Sequence, residues 1–453
     1  MEQAVQVIED TSYELPYSLL EFARRSRTDM VSLYVPSLFP RNLLYKRIFL
    51  LGVFNVGKPE YIEHVLLTNY RNYAKGPLVR RIGKPIFGNG LFTSEGDFWR
   101  GQRRIMAPAF HQKHIASFVE AMSACTAAML QRWQGRQGIF DVLPEMAHLT
   151  VEIIARTMFS TDVADEVGTL GRNVDILVRQ MHPGIGDLLG FPEWVPSLRT
   201  RSVRKAVAEL DELLTRIISQ RRANPGDHED FLTMLLQVRD QDTGAGMSDG
   251  QLRDEVATII GAGHETTATA LSWTWYLLSR HPAAEARLHE EVDRVLAGQP
   301  CGFSDLARLP YTRMVFEEAM RLYPPAHTIP RLALAEDRIG GVRVPRGSLM
   351  VVSPYVTHRN PDLWPDPDRF DPERFTPEAA AARHRFAYLP FGGGPRVCIG
   401  NSFSMSEAVV IMSMVAQRYR LRVDLSRPVT PCGYLTLRPK EGIWVSLEAR
   451  TNR

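Results

Sequence analysis

Apolar residues recur at three- and four-residue intervals over 115–133, 151–158, 203–221, 283–296 and 402–419, a spacing that predicts amphipathic helices. Strand-like runs, short and rich in β-branched and aromatic residues, are confined to about 46–57, 331–355 and 433–450. The last of these reads as a terminal hairpin turning at Lys440-Glu441-Gly442. The proline-rich stretch 362–375, DLWPDPDRFDPERF, follows neither period and is expected to be an ordered, irregular coil. No repeat, low-complexity tract or flexible linker divides the chain, so residues 1–453 are expected to form a single, mainly α domain with a smaller β part.

One predicted helix is unusual. Ser248-Asp249-Gly250-Gln251 has the pattern of a capping box, and no proline follows until after Ser279, giving a helix of roughly 45–50 Å at 1.5 Å per residue. Between Glu255 and Arg280 its only formally charged side chain is Glu265, set among Gly261, Gly263, Thr266 and Thr267. Glycine and threonine are poorer helix formers than alanine. Either the glycines permit close helix packing, or the helix is loosened so that a ligand approaches its backbone while a carboxylate and a hydroxyl handle protons.

Composition adds exclusions. With 44% hydrophobic and 23% charged residues the chain has material for a large core, and a net charge of +3 gives no indication of nucleic-acid or membrane partners. The N-terminal segment MEQAVQVIEDTSYELPYSLLEFARR offers no apolar run suited to a signal peptide or membrane anchor. Cys125, Cys301, Cys398 and Cys432 are scattered, with no close pair of the zinc or redox type, which suits a reducing, cytoplasmic setting. Cys398 stands in FGGGPRVCIG, residues 391–400, and its residue type alone leaves nucleophile, disulfide half, structural thiol and metal ligand open. Glu318 and Arg321 lie three apart on one helical face, and Arg374 in the coil could hold the same carboxylate from the other side.

Taken in order along the chain, these motifs resemble the cytochrome P450 family of haem-thiolate monooxygenases, in its soluble bacterial form. Phe391, Gly394, Arg396, Cys398 and Gly400 match the pattern F-x-x-G-x-R-x-C-x-G. Glu318 and Arg321 match E-x-x-R, with Arg374 in the PERF segment, Ala262 to Thr267 (AGHETT) match the oxygen-activation segment, and Trp99 and Arg103 match W-x-x-x-R.

The resemblance implies the family fold, with haem b held between the long central helix and the helix after Cys398, and with Cys398 as axial iron ligand. It implies that Trp99, Arg103, Arg331 and Arg396 serve the haem propionates, that Phe391, Gly392 and Gly400 shape the thiolate loop, and that Ala262 and Gly263 leave room for dioxygen. Glu265 and Thr266 resemble the acid-alcohol pair that delivers protons, while Glu318, Arg321 and Arg374 form a structural lock. Ile86, Phe87, Leu91, Leu188, Leu189, Ala262, Ala326, His327 and Ile329 match substrate-facing segments, mostly apolar, which implies a lipophilic substrate of fatty-acid, terpenoid or polyketide type. His327 has two readings, a bond to a polar substrate group or a cap on its own turn.

No flavin or iron–sulfur segment follows Cys398, so electrons are expected from NAD(P)H through a separate reductase and a ferredoxin or flavodoxin. Arg100, Arg103, Arg104, Lys113 and His114 form a basic cluster suited to an acidic partner, or an ordinary solvated face. A monomer is expected. The rival readings are a peroxide-using or rearranging haem-thiolate enzyme and a noncatalytic haem gas sensor.

Overall fold

The capping box forms as its residues predict. Ser248 Oγ accepts from the Gln251 N–H at 3.2 Å, and Gln251 Oε1 accepts from the Ser248 N–H at 2.9 Å. It opens a 32-residue helix, Asp249–Arg280, the central helix of a computed structural model that describes residues 19–48, 51–160, 201–224, 230–239 and 246–450, with isolated positions at 171, 173, 176, 177 and 244.

Among the described residues, the central helix packs most extensively on Val142–Phe159, and also on Arg201–Ala223, Pro310–Leu322, Pro282–Leu296, Gly76–Phe87 and Asn401–Arg418. Both glycines of its awkward middle are contact points. A Cβ on Gly263 would lie 3.0 Å from Ile154 Cδ1, and one on Gly261 would lie 2.5 Å from the Phe87 ring. Gly263 therefore makes room for a neighbouring helix. At the C-terminal half, Trp273 stacks on Tyr323 with centroids 3.9 Å apart, and its indole N–H donates to Leu437 O at 2.8 Å.

The strands form small sheets around this helical body. One five-stranded sheet runs β1 (Leu43–Ile48), β2 (Leu51–Val56), β8 (Leu349–Val352), β5 (Ile329–Ala333), β3 (Tyr73–Ala74). All its pairs are antiparallel except β2 with β8, where Val53 faces Leu349. It joins residues 43–74 to residues 329–352, segments far apart in the sequence. The terminal hairpin does not form. β10 (Pro431–Gly433) pairs with β11 (Leu437–Pro439), whereas β12 (Trp444–Ala449) pairs with β9 (Tyr419–Val423) and β4 (Phe140–Asp141). Lys440-Glu441-Gly442 therefore passes the chain from one sheet to another. Asp141 fixes that hand-over: its Oδ1 accepts from Ile443 N–H at 3.0 Å, and Gly442, at φ +79°, has no Cβ to collide with the same carboxylate.

The irregular coil is held by one buried carboxylate. Arg321 donates to Glu318 through Nε at 2.6 Å and Nη2 at 2.8 Å, and both side chains are fully buried. Arg374 Nε stands 3.6 Å from Glu318 Oε1 on the other side, and the Asp371 N–H donates to that oxygen at 2.9 Å. Arg321 also donates to the carbonyls of His358, Pro367 and Arg369, and Arg374 to those of Pro365 and Asp366. A segment without its own hydrogen-bond ladder thus finds donors for its carbonyls in two guanidiniums.

Among the described residues, no helix is long and apolar enough to cross a membrane. Glu318→Ala leaves Arg321 buried without its counter-charge, and should lower the unfolding free energy by about 3–5 kcal/mol. Urea unfolding followed by tryptophan fluorescence checks this, and a change below about 1 kcal/mol would show that the coil is held by other means.

Candidate active site

The loop carrying Cys398 is tight because three consecutive glycines make it so. Gly392 and Gly394 adopt φ of +74° and +67°, the region that glycine enters without strain. A Cβ on Gly394 would sit 1.9 Å from the Leu66 carbonyl oxygen, and one on Gly393 would sit 2.7 Å from the Phe386 ring. The Cys398 N–H donates back to Phe391 O at 2.9 Å and closes the loop. Gly400 then caps the helix Asn401–Arg418.

Cys398 is exposed, yet protein surrounds it densely enough that desolvation pushes its thiol upward. Together these mean that the sulfur faces an enclosed space. Two groups act in the opposite sense and favour the thiolate: the Gly400 N–H at the helix start, and the guanidinium of Arg103 on the helix Gly96–Met106. Among the described residues no group of three or more His, Cys, Asp or Glu side chains is placed to hold a metal ion. A metal at Cys398 must therefore bring its other ligands with it, as a porphyrin iron does.

The central helix supplies the opposite wall. Thr267 Oγ1 and Ser404 Oγ lie 3.1 Å apart where it meets the helix after Cys398. Beside that junction, Ala262 is exposed and Gly261 and Thr266 are half-exposed, on a helix otherwise buried for most of its length. Ala326 is also exposed and Ile329 half-buried, and a Cβ on Gly392 would meet Ile329 Cδ1 at 3.8 Å. Ala262, Ala326 and Ile329, the accessible apolar residues of these segments, are small or aliphatic and carry no charge.

At the cleft's edge the charges do not balance. Lys75, Arg331 and Arg396 are buried or nearly so around one carboxylate, Glu95. Arg396 pairs with Glu95 and lies over the Trp99 ring at 4.2 Å from its centroid. Burial and then the Arg396 charge bring Lys75 down to about 7 and Arg331 down to about 10. Placing three cations around one anion in low dielectric is costly unless further negative charge arrives. The two propionates of haem b would supply that charge. The residues present fit the group: Cys398 for the iron, Lys75, Arg331 and Arg396 for the carboxylates, and Trp99 beside them.

The remaining predicted residues divide. Thr266 Oγ1 donates to Ala262 O at 2.8 Å within the helix. Glu265 is turned to the β10–β11 pair, where one oxygen accepts from Thr436 and Arg438 and the other has no partner. The structure does not bring its carboxylate to the Thr266 hydroxyl. Ile86 and Phe87 belong to the packed core rather than to open space, and Leu91 is half-buried beside them. His327 uses both ring nitrogens, with Nδ1 at 2.9 Å from Thr328 Oγ1 and Nε2 at 2.8 Å from Tyr434 O, so it holds its turn and has no nitrogen left for a ligand. Leu188 and Leu189 lie outside the described residues.

Lys75, Glu95 and Arg438 had not been anticipated. Glu95 is four residues before Trp99, a readable helical spacing, but nothing local marks Lys75 or Arg438, whose partners are distant in sequence.

Fold and site together place one exposed cysteine on a glycine-rich loop whose following helix packs on the long central helix. The family profile described as Cytochrome P450 matches residues 50–445, and the chain belongs to the cytochrome P450 family. It is 43% identical over 381 residues to Cyclooctatin synthase of Streptomyces melanosporofaciens, covering 84% of this chain and 83% of that protein. It is 38% identical to Cyclooctat-9-en-7-ol 5-monooxygenase of the same organism, over 80% of this chain and 79% of that one. Identity to Pentalenene oxygenase of Streptomyces avermitilis is 34%, over 87% of each chain. The crystal structure of the cytochrome P450DA heme domain superposes with a TM-score of 0.81 at 27% identity, covering 96% of this chain and 93% of that one. Like its named relatives, the protein is a P450 monooxygenase, and the family implies haem, dioxygen, a lipophilic substrate and a redox partner.

Burial brings the other thiols up, Cys125 to about 12 and Cys301 and Cys432 to about 11, and all three are closed to solvent. Iodoacetamide should therefore alkylate native haem-free protein at Cys398 alone and leave haem-loaded protein unmodified, as counted by peptide mass spectrometry. Adducts at Cys398 in the loaded protein would contradict its role as ligand.

Proposed function

We propose that this P450 inserts one oxygen atom of dioxygen into a terpenoid-type small molecule, by C–H hydroxylation or epoxidation. Electrons come from NAD(P)H through a reductase and a separate ferredoxin or flavodoxin, and residues 1–453 act as one haem domain. The observation that carries this reading is the pairing of an enclosed Cys398 sulfur with a small apolar wall of Ala262, Ala326 and Ile329. Such a wall leaves width for a ring system and offers no charge to anchor a carboxylate. The names of the relatives, an oxygenase of pentalenene and a monooxygenase of a cyclooctatene alcohol, support a cyclic substrate over a linear acid.

When bound, haem supplies dioxygen activation and oxygen transfer. The chain's own residues ligate, neutralise and manage protons. Cys398 holds the iron, and Lys75, Arg331 and Arg396 neutralise the propionates. Thr266 commits its hydroxyl proton to Ala262 O, so its lone pairs are left to accept a hydrogen bond from a protonated group in the cleft. Glu265 is held against the β10–β11 pair by Arg438, and to serve as the acid beside Thr266 it would have to turn out of that ion pair. On the outer surface Arg100, Arg104, Lys113 and His114 form the docking patch for an acidic electron donor, while Arg103 turns inward to the thiol.

The reduced, carbon-monoxide-bound protein should show the red-shifted Soret band of a thiolate-ligated haem. Cyclic terpenes and terpene alcohols, supplied with NADPH, ferredoxin and reductase, should give products heavier by one oxygen atom. Turnover with hydrogen peroxide but not with the partner proteins would instead favour the peroxide-using reading.

Thr266→Ala should retain haem and the carbon-monoxide band while diverting electrons to hydrogen peroxide, lowering product per NADPH by about tenfold. Unchanged coupling would remove Thr266 from proton handling.

A further inference from the structure

The segment 88–92 lies along the first half of the central helix and touches it closely. A Cβ on Gly88 would fall 2.0 Å from Asp254 Oδ1, and one on Gly90 would fall 2.3 Å from Thr258 Oγ1. Asn89 N–H donates to Asp254 Oδ2 at 2.7 Å, and Asp254 is held in turn by Arg253, which also pairs with Asp211 on the helix Arg201–Ala223.

The peptide groups of Leu91 are gripped from two directions. Its N–H donates to Glu255 Oε2 at 2.9 Å, and its carbonyl accepts from Lys75 Nζ at 3.1 Å. Lys75 Nζ also donates to Phe92 O, and its ammonium stands 5.5 Å from the Phe92 ring centroid. Both side chains come from outside the segment. Glu255 is fully buried, and its second oxygen has no partner. It stands seven residues before Ala262, two helical turns along, and so on the same face of the helix. A carboxyl is costly to bury for one hydrogen bond, and burial pushes Glu255 up to about 7. The groups acting on it are Asp254, Lys75 and the Leu91 N–H, and those acting on Lys75 are Arg396, Glu95, Arg331 and Glu255.

We propose that Glu255 and Lys75 are positioning residues that clamp the Leu91 peptide from both sides and so fix segment 88–92 as one wall of the substrate cleft. This rests on the reading of Leu91 as substrate-facing within the proposed monooxygenase. The clamp sets how far the Leu91 side chain stands from the Ala262 face, and hence the width offered to a ring system. Arg253 and Asp254 extend the same attachment to the helix Arg201–Ala223, so displacement of that helix pulls on the segment through Asn89.

Hydrogen–deuterium exchange on haem-loaded protein tests the clamp without turnover. Glu255→Leu removes the acceptor and should speed exchange of residues 88–93 by at least about tenfold, whereas Glu255→Gln retains an acceptor oxygen and should stay within about twofold of wild type. Lys75→Met releases the other side and should loosen the same peptide; because Lys75 also belongs to the propionate cluster it is compared at matched haem occupancy, and Glu255→Ala serves if Glu255→Leu does not load haem. Unchanged exchange in both variants would overturn the clamp. The cleft-width half is read from Soret titrations with imidazole and 4-phenylimidazole. Glu255→Leu or Lys75→Met should shift the ratio of their dissociation constants toward the larger ligand by about threefold or more, and Glu255→Gln should not. Faster exchange with an unchanged ratio would overturn the positioning role. Neither readout depends on substrate identity or electron donor, so failure here is distinct from failure of the proposed oxygenation.

Discussion

A carboxylate sealed from water at Glu318 must be answered by protein donors, and the way it is answered organises the lower half of the molecule. Arg321 takes it with two parallel hydrogen bonds, Arg374 stands on the far side, and their remaining N–H groups collect carbonyls from the irregular coil. The influence continues to the thiol through His358. Its Nε2 accepts from the Leu389 N–H at 2.8 Å, so its Nδ1 must carry the proton directed at Arg321 O, 3.2 Å away. Burial, with Arg321 and Arg359 nearby, keeps this imidazole neutral, as that bonding pattern requires. Leu389 leads into Phe391, whose carbonyl receives the Cys398 N–H. The ion pair and the sulfur are therefore successive parts of one hydrogen-bonded framework.

The cleft shows the opposite electrostatic strategy. Around Glu318 a buried carboxylate is answered by two guanidiniums and a backbone N–H, whereas around Glu95 three cations gather, with Glu255 reaching only Lys75 as further negative charge. The first arrangement stabilises the folded chain by itself; the second leaves it poorly compensated until an anion is present. Cofactor affinity and the stability of the empty protein are set against each other there, because each cation that holds a propionate is a desolvated charge in its absence.

Features governed by local chemistry were readable from the sequence. The capping box at Ser248 and Gln251, the glycines of the Cys398 loop and the E-x-x-R pair each need only neighbours within a few residues. The helix Gly76–Phe87 has no legible helical signal because Pro85 stands in its interior, and packing of Ile86 and Phe87 overrides that cost, while Pro77 sits in the first turn where proline is tolerated. The terminal hairpin was misjudged because turn residues at 440–442 specify a reversal without specifying which strand is met next. Lys75 and Arg438 act on partners far away in sequence, and their residue types carry no mark of it. Gly263 illustrates an ambiguity of residue type: a missing side chain serves a ligand or a neighbouring helix equally well, and only Ile154 decides.

The 1.9 Å approach that forbids a Cβ at Gly394 has a kinetic side. Its counterpart, the Leu66 carbonyl, belongs to the opening part of the chain, and the five-stranded sheet beside it also joins strands at 43–74 to strands at 329–352. The loop that presents Cys398 therefore lacks its supporting surface until segments far apart in the sequence have met. Contacts of such long sequence separation are slow to form. Cofactor insertion accordingly belongs among the last events of folding, and a nascent chain carries its thiol exposed until then.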